Sequence, residues 1–407
     1  MSDVRLPKGA RARLGAVDGD LVVESGVTIE SETPSGVTVR GDAHFTGDAT
    51  VQGPFTCRRL QSRKSRLRFE SSLTVHDAID ADHSTLEVLG PLGCLRVDVD
   101  KELHLHADST VGRLDVGGRF VADGAVRGES IRVGGSAEVR GRTEADEVSV
   151  GGQAVLGEVD LARFEVGGLG TVGGGTIRER VAVGGKFSST GRLVFGDLEV
   201  GGTATLEGGG AGRKVDVGGV LRVGGPFQFD RLSVGGILEI EGNGAGARLD
   251  VGGRFWGGGD LTLSDRLEVG GQANVVGVVA AGSLEIGGEF VARRATITTD
   301  VEVGGRIRTE QGLHAAKIVV GRKCSVQGAL IGERIRIGRS ATTESVFGGS
   351  VDVGPDAHVE YIGADEVQVA GGARVGRIEY VRDVRVDAGA TIDRPPQRVT
   401  TRPAPPV

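Results

Sequence analysis

Leu114-Asp-Val-Gly-Gly-Arg-Phe-Val-Ala-Asp-Gly-Ala-Val-Arg-Gly-Glu-Ser-Ile-Arg-Val-Gly-Gly135 decides the fold. It holds one full period, because Leu114-x-Val116-Gly-Gly returns as Ile131-x-Val133-Gly-Gly. The valine of the triplet recurs at Val116, Val133, Val150, Val166, Val183, Val200, Val217, Val234, Val251 and Val269. It continues through Ile286, Val303, Val320, Ile337, Val353, Val369 and Val386. The step is about 17 residues with slips of one, the signature of a repeat array. Every anchor is a β-branched aliphatic, a type that packs well on pleated strands.

Further columns keep the register. Leu114, Ile131, Val148, Phe164 and Val181 stand two residues before the anchor. Phe120, Ala137, Ala154, Phe187 and Leu221 stand four after it. Apolar residues two apart are the periodicity of a half-buried strand. No apolar i, i+3, i+4, i+7 stripe is present, and 72 glycines would break helices. A single turn of three short strands cannot bury its own apolar edge. Stacking the next turn about 4.8 Å away pairs every strand in parallel and lines up the inward Val, Leu and Phe. Each buried side chain of that kind contributes roughly 1.5–3 kcal/mol. The expected fold is therefore all-β: one long right-handed parallel β-helix of triangular cross-section. A left-handed hexapeptide helix wants turns in multiples of six, which the step fits poorly. The Gly-Gly pairs are expected at corners, where glycine tolerates positive φ.

Four stretches follow. Residues 1–15 read as a short polar tail, and 16–96 as irregular early turns that lack Gly-Gly. Residues 97–393 read as the regular array, and 394–407 as a proline-rich disordered tail. Together they make about 22 turns, or roughly 100 Å of stacked strands. The glycine runs starting at Gly208 and Gly242 are expected to protrude from one face, two turns apart.

Composition narrows the function. A net charge of −7 gives no basic face for nucleic acid. No apolar run spans a bilayer, and the first residues hold no signal core. Three scattered cysteines, Cys57, Cys94 and Cys324, suit a reducing compartment, so a cytoplasmic location is expected. Glycine runs such as the one from Gly167 lack the helix that a dinucleotide loop needs. No Ser-His-Asp, HExxH or CxxC arrangement occurs. No catalytic, cofactor-binding or metal residue is assigned, no cofactor or small-molecule substrate is expected, and the chain is not read as an enzyme.

The stretch Ala316-Lys-Ile-Val-Val-Gly-Arg-Lys-Cys-Ser-Val-Gln-Gly328 is followed by Ile335-Arg-Ile-Gly-Arg-Ser-Ala and Val351-Asp-Val-Gly-Pro-Asp-Ala-His-Val. Val384-Arg-Val-Asp-Ala-Gly-Ala-Thr-Ile392 closes the series. This pattern, strongest over about residues 316–393, resembles the bactofilins, or polymer-forming cytoskeletal proteins. The resemblance implies a right-handed β-helix that polymerises end to end without nucleotide, and a cytoplasmic scaffold near the membrane. The partners it implies are further copies of the chain, and membrane-associated or other scaffold proteins.

Further side chains stand out beside that pattern. Glu199, Asp216, Asp250, Glu268, Glu285 and Glu302 precede the anchors and stack as an acidic column. Such a column could hold calcium, but the basic residues Lys186, Arg254, Arg306 and Lys323 nearby favour a solvated face. His104 and His106 share a strand face, and a zinc site needs further ligands, with the register of His76 and His83 open. Cys324 reads as a buried inert thiol, and Trp256 as outward-facing beside inward Phe255. Stacked strands leave unpaired N–H and C=O groups at each end. The residues expected to carry assembly are Val384, Val386 and Ile392 at one end and Val27 and Ile29 at the other. A monomeric β-helix scaffold and a carbohydrate-active β-helix enzyme are the alternatives.

Overall fold

The computed structural model describes residues 3–405. Among them every regular element is a strand, and none is a helix. Strands about 17 residues apart pair in parallel, giving a β-solenoid of about 23 turns. The chain divides into two compact units, Met1–Gly201 and Gly202–Val407.

The first unit shows how a turn is built. In Glu102–Leu105, Leu103 and Leu105 point inward. In Ser109–Val116, the inward pairs are Ser109 with Val111 and Leu114 with Val116. Two consecutive outward residues, Gly112 and Arg113, interrupt that alternation and mark a bend. Three inward pairs per turn therefore define three faces. Each pair sits over its equivalent in the next turn, as Leu103 over Phe120 and Leu114 over Ile131.

The early turns of this unit are ragged, as the sequence predicts. Val4 faces Leu21, Leu21 faces Ala43, Phe55 faces Leu73 and Leu67 faces Leu86. The spacings change because loops of different length join the strands, yet the inward columns stay aligned. Phe45, Phe55 and Phe69 fill this wide section, with ring centroids 5.6–6.4 Å apart.

Residues 1–15, read from sequence as a polar tail, instead contain part of the first turn. Val4–Leu6 and Arg11–Leu14 pair in parallel with the turn that follows. Outward Arg5, Lys8, Arg11 and Arg13 dominate the composition and hide the inward Leu6 and Leu14. Glu30 receives bonds from both Arg11 and Arg13, at 2.6 and 3.0 Å. Those bonds, Arg13's first, hold its carboxyl below the usual range.

The Gly-Gly pairs also depart from expectation. They do stand at corners, but no glycine of the pairs that follow the anchors Val116 to Val303 has positive φ. Close approach explains them instead. A Cβ on Gly117 would lie 2.5 Å from the carbonyl oxygen of Asp100 in the preceding turn. In the second unit, Cβ atoms on Gly235 and Gly252 would lie 2.6 and 2.8 Å from the oxygens of Gly218 and Gly235. At these glycines turn stacks on turn so closely that a Cβ would press on the carbonyl of the turn before.

In the second unit the two glycine runs do not protrude. Gly210–Val217 and Gly244–Val251 are strands, and Gly210 and Gly244 flank Phe227 in consecutive turns. Gly212 and Gly246 flank Phe229 in the same way. The rings of Phe227 and Phe229 lie 5.7 Å apart and take the interior volume that the glycines leave. Size alternates between turns, so mean interior volume is conserved.

Gly117→Ala is expected to lower stability by about 1–3 kcal/mol, the usual cost of forcing atoms into a packed site. Gly93→Ala, whose Cβ would have no heavy atom within 4 Å, should leave it nearly unchanged. Urea unfolding followed by circular dichroism checks the contrast, and equal effects of the two would refute the close-approach account.

Candidate functional site

At the C-terminal turn, Arg374–Val386 pairs along its length with His358–Val369. On its other side Thr391–Ile392 covers residues 374–375, and Gln397–Arg398 covers residues 379–380. Residues 383–386 have no strand on that side among the described residues. The consequence is visible in burial. Val386 is 42% exposed, whereas Val369, its equivalent one turn inside, is 0% exposed. Val384 is half-buried, and so is Ile392, which belongs to the last strand on its own face. The structure thus places all three predicted C-terminal residues at an open turn.

The predicted N-terminal residues need correction. Val27 and Ile29 are 1% and 0% exposed, and their strand lies between Arg11–Leu14 and Ala49–Gln52. They are core, because residues 3–17 supply a turn outside them. The open edge belongs to Val4–Leu6, Arg11–Leu14 and Ala16–Val17, each paired on one side only among the described residues. Val4, Ala12 and Leu14 are half-buried there.

The proline-rich segment 394–407, expected to be disordered, is held against the turns as far as Pro403, and residues 406–407 lie outside the described residues. After the short pairing at 397–398 it runs back along a corner of earlier turns. The Arg402 guanidinium contacts Asp365 at 2.5 Å and Glu333 at 3.3 Å. Glu333, Gly349 and Asp365 occupy this corner on consecutive turns, and a Cβ on Gly349 would lie 3.4 Å from the guanidinium. The same Cβ would lie 2.7 Å from the carbonyl oxygen and from Oε2 of Glu333, so it is the turn before that requires glycine here. The bond to Arg402 holds the Asp365 carboxyl below its usual range and raises Arg402 in turn.

A second cluster lies on the outward surface of the first unit. Glu87 and His104 are register partners, and His106 and Asp123 stand on consecutive turns beside them. The rings of His104 and His106 are 3.8 Å apart. His106 Nε2 lies 3.2 Å from Glu87 Oε1, and its Nδ1 lies 2.9 Å from Asp123 Oδ2. His104 Nε2 is 3.3 Å from the same Asp123 oxygen. The other oxygen of each carboxylate is held by arginine, Glu87 by Arg68 at 2.7 Å and Asp123 by Arg140 at 2.6 Å. Burial acts to raise the Asp123 carboxyl, but His104, Arg140 and His106 outweigh it and hold it low.

Of the histidines weighed from sequence, His83 instead joins Asp82 and Asp100 in an exposed group, and exposed His76 joins neither cluster. Glu87 and Asp123 were missed, although each lies one 17-residue step from a histidine.

The remaining candidates are quiet. Cys57 and Cys94 are buried, and desolvation pushes their thiols up to about 12 and about 11. Cys324 is buried too, 2% exposed. In the acidic column, Asp250, Glu268, Glu285 and Glu302 are register neighbours, and Arg266 bridges Glu268 and Glu285. Trp256 points outward and is 37% exposed. No described helix is long and apolar enough to cross a membrane.

No family model, curated protein or solved structure matches the chain.

The Asp365 carboxyl is depressed in the folded state, so its contribution to docking is present above the ordinary carboxylate range. It is lost as pH falls through the folded value. Residues 394–405 should therefore resist limited proteolysis at neutral pH and be released in acid. Arg402→Ala should be cut faster than the parent at neutral pH; mass spectrometry of the fragments reads both, and equal cutting rates would refute the docking.

Proposed function

We propose that the chain is a structural, self-assembling scaffold whose solenoid turns polymerise end to end without nucleotide. The observation that carries this reading is the uncovered edge at residues 383–386, with Val386 42% exposed where its inner equivalent is fully buried. An exposed strand edge with apolar side chains is a template for another chain.

The N-terminal turn offers a matching edge. Val4–Leu6 connects by register, through residues 21–23, 43–45, 60–62, 79–81 and 97–99, to residues 114–116, just before Gly117-Gly118. Residues 384–386 hold the same place before an anchor position. Continuing the ladder into a second copy sets Val384 against Val4 and Val386 against Leu6. Arg5 and Arg385 then become neighbours, each already paired with a carboxylate, Glu24 at 3.2 Å and Asp383 at 3.1 Å. The assembled form extends the same parallel pairing and inward columns that build each turn. The resemblance to bactofilins supports the same reading by analogy, including a scaffold rather than a catalytic role and a cytoplasmic site of action.

Sedimentation velocity and negative-stain microscopy of the purified chain should reveal end-to-end species that lengthen with concentration. Val386→Lys should raise the concentration needed for assembly about tenfold or more, the equivalent of ~1.4 kcal/mol. Its β circular dichroism should be retained, because the side chain stands at an open edge. Val27→Lys should instead unfold the first turns, since it buries an unpaired charge. Uniform monomers throughout the micromolar range would overturn the proposal.

A further inference from the structure

Neutral imidazole carries one N–H, yet His106 faces a carboxylate oxygen from both ring nitrogens. A metal ion between Nε2 and the Glu87 oxygen would use both as ligands and leave Nδ1–H to bond Asp123. A second imidazole is within reach of the same place. His104 stacks 3.8 Å away, and a ring nitrogen of each histidine and an oxygen of Glu87 all lie within 4.8 Å of one another. Two imidazoles and a carboxylate converging in this way form a ligand set suited to a metal ion.

We propose that His104, His106 and Glu87 bind a first-row divalent cation of the zinc class, with Asp123 as the residue that orients His106. Zinc–ligand bonds of about 2.0–2.1 Å put tetrahedral ligands roughly 3.3 Å apart. His106 Nε2 and Glu87 Oε1 stand 3.2 Å apart, close to one such edge. Asp123 takes the hydrogen bond from His106 Nδ1–H, which leaves Nε2 free for the ion. A carboxylate behind a ligating histidine fixes its tautomer and raises its basicity.

The support behind the ligands is fixed in the same way. Arg68 holds the far oxygen of Glu87, and Arg140 that of Asp123, itself shared with Glu138 at 3.2 Å. These arginines orient the carboxylates and leave one oxygen of each facing the histidines. The four side chains are 28–32% exposed, so solvent reaches the site and a fourth ligand position stays open. The ligands come from consecutive turns, and the bound ion would clip those turns together.

The test uses full-length protein without a histidine tag, stripped with chelator and titrated with zinc by calorimetry. Cobalt(II) serves as the spectroscopic probe. One tight ion per chain is expected, with the intense visible bands of four-coordinate cobalt and a rise in melting temperature. His104→Gln and His106→Gln should each abolish that binding, while Asp123→Asn should weaken it about 10–100-fold. His83→Ala, in the separate exposed group, should leave it intact. Circular dichroism of the stripped variants checks that the outward substitutions preserve the fold. Unchanged stoichiometry in both histidine variants would overturn the assignment. So would absence of zinc binding by the stripped, folded parent protein.

Discussion

Parallel backbone pairing between successive turns is the constraint from which the rest of the molecule follows. Strands in a sheet stand about 4.8 Å apart, and in a solenoid this distance separates every residue from its equivalent one turn away. Along the faces, side chains point inward or outward and the spacing suits them. At the Gly-Gly corner the backbone turns so that a Cβ would point along the axis, onto the carbonyl of the turn before. Gly117 over Asp100 and Gly235 over Gly218 show the result. Glycine there is chosen by lack of space and not by a special φ, which is why the triplet can repeat without straining the chain. The positive-φ glycines lie elsewhere, as at Gly26, Gly174 and Gly175.

The same spacing makes every column a shared property of neighbouring turns. Inside, a large residue in one turn is tolerated when its neighbours are small, as Phe227 between Gly210 and Gly244 shows. Outside, charges are answered across turns more than along a strand. Arg68 reaches Glu87, Arg222 reaches Glu239 and Arg180 reaches Glu199. Such exposed pairs contribute little individually. Where like charges do stack directly, as Glu268 and Glu285, Arg266 bridges the two and offsets their repulsion.

Much of this was legible in sequence because the period is nearly constant from Val116 onward. Anchor valines, inward columns and parallel pairing all follow from a fixed step and apolar alternation. What escaped notice breaks one of those two signals. Residues 3–17 alternate correctly, but arginines on the outward positions mask the pattern. The glycine runs look like loops because glycine carries no inward or outward preference, and only the neighbouring Phe227 and Phe229 reveal their role. Arg402 docks 69 residues from Glu333, a separation that no local pattern encodes. The histidine cluster was half legible. His104 and His106 share a face by strand geometry, and a 17-residue step from each reaches Glu87 and Asp123. Reaching Glu87 required the register of the early turns, where the step varies.

The turn at residues 374–386 shows how regular pairing gives way among the described residues. Each inner turn is paired on both sides, and continuing requires an N–H from every second residue of the next strand. The segment after Ile392 meets that need only in part. Arg394 N–H bonds Gly376 and Val399 N–H bonds Tyr380. Pro395, Pro396, Pro403 and Pro405 have no N–H to give. A complete covering strand over residues 383–386 is therefore unavailable from this segment, and Arg402 instead draws it back to Asp365 and Glu333. Among the described residues, strands cover two faces of this turn, and Val384 and Val386 on the third are partly exposed. Under the assembly proposed above, Val4–Leu6 of a second copy would supply what the prolines cannot, because it matches residues 384–386 in length, direction and side-chain alternation.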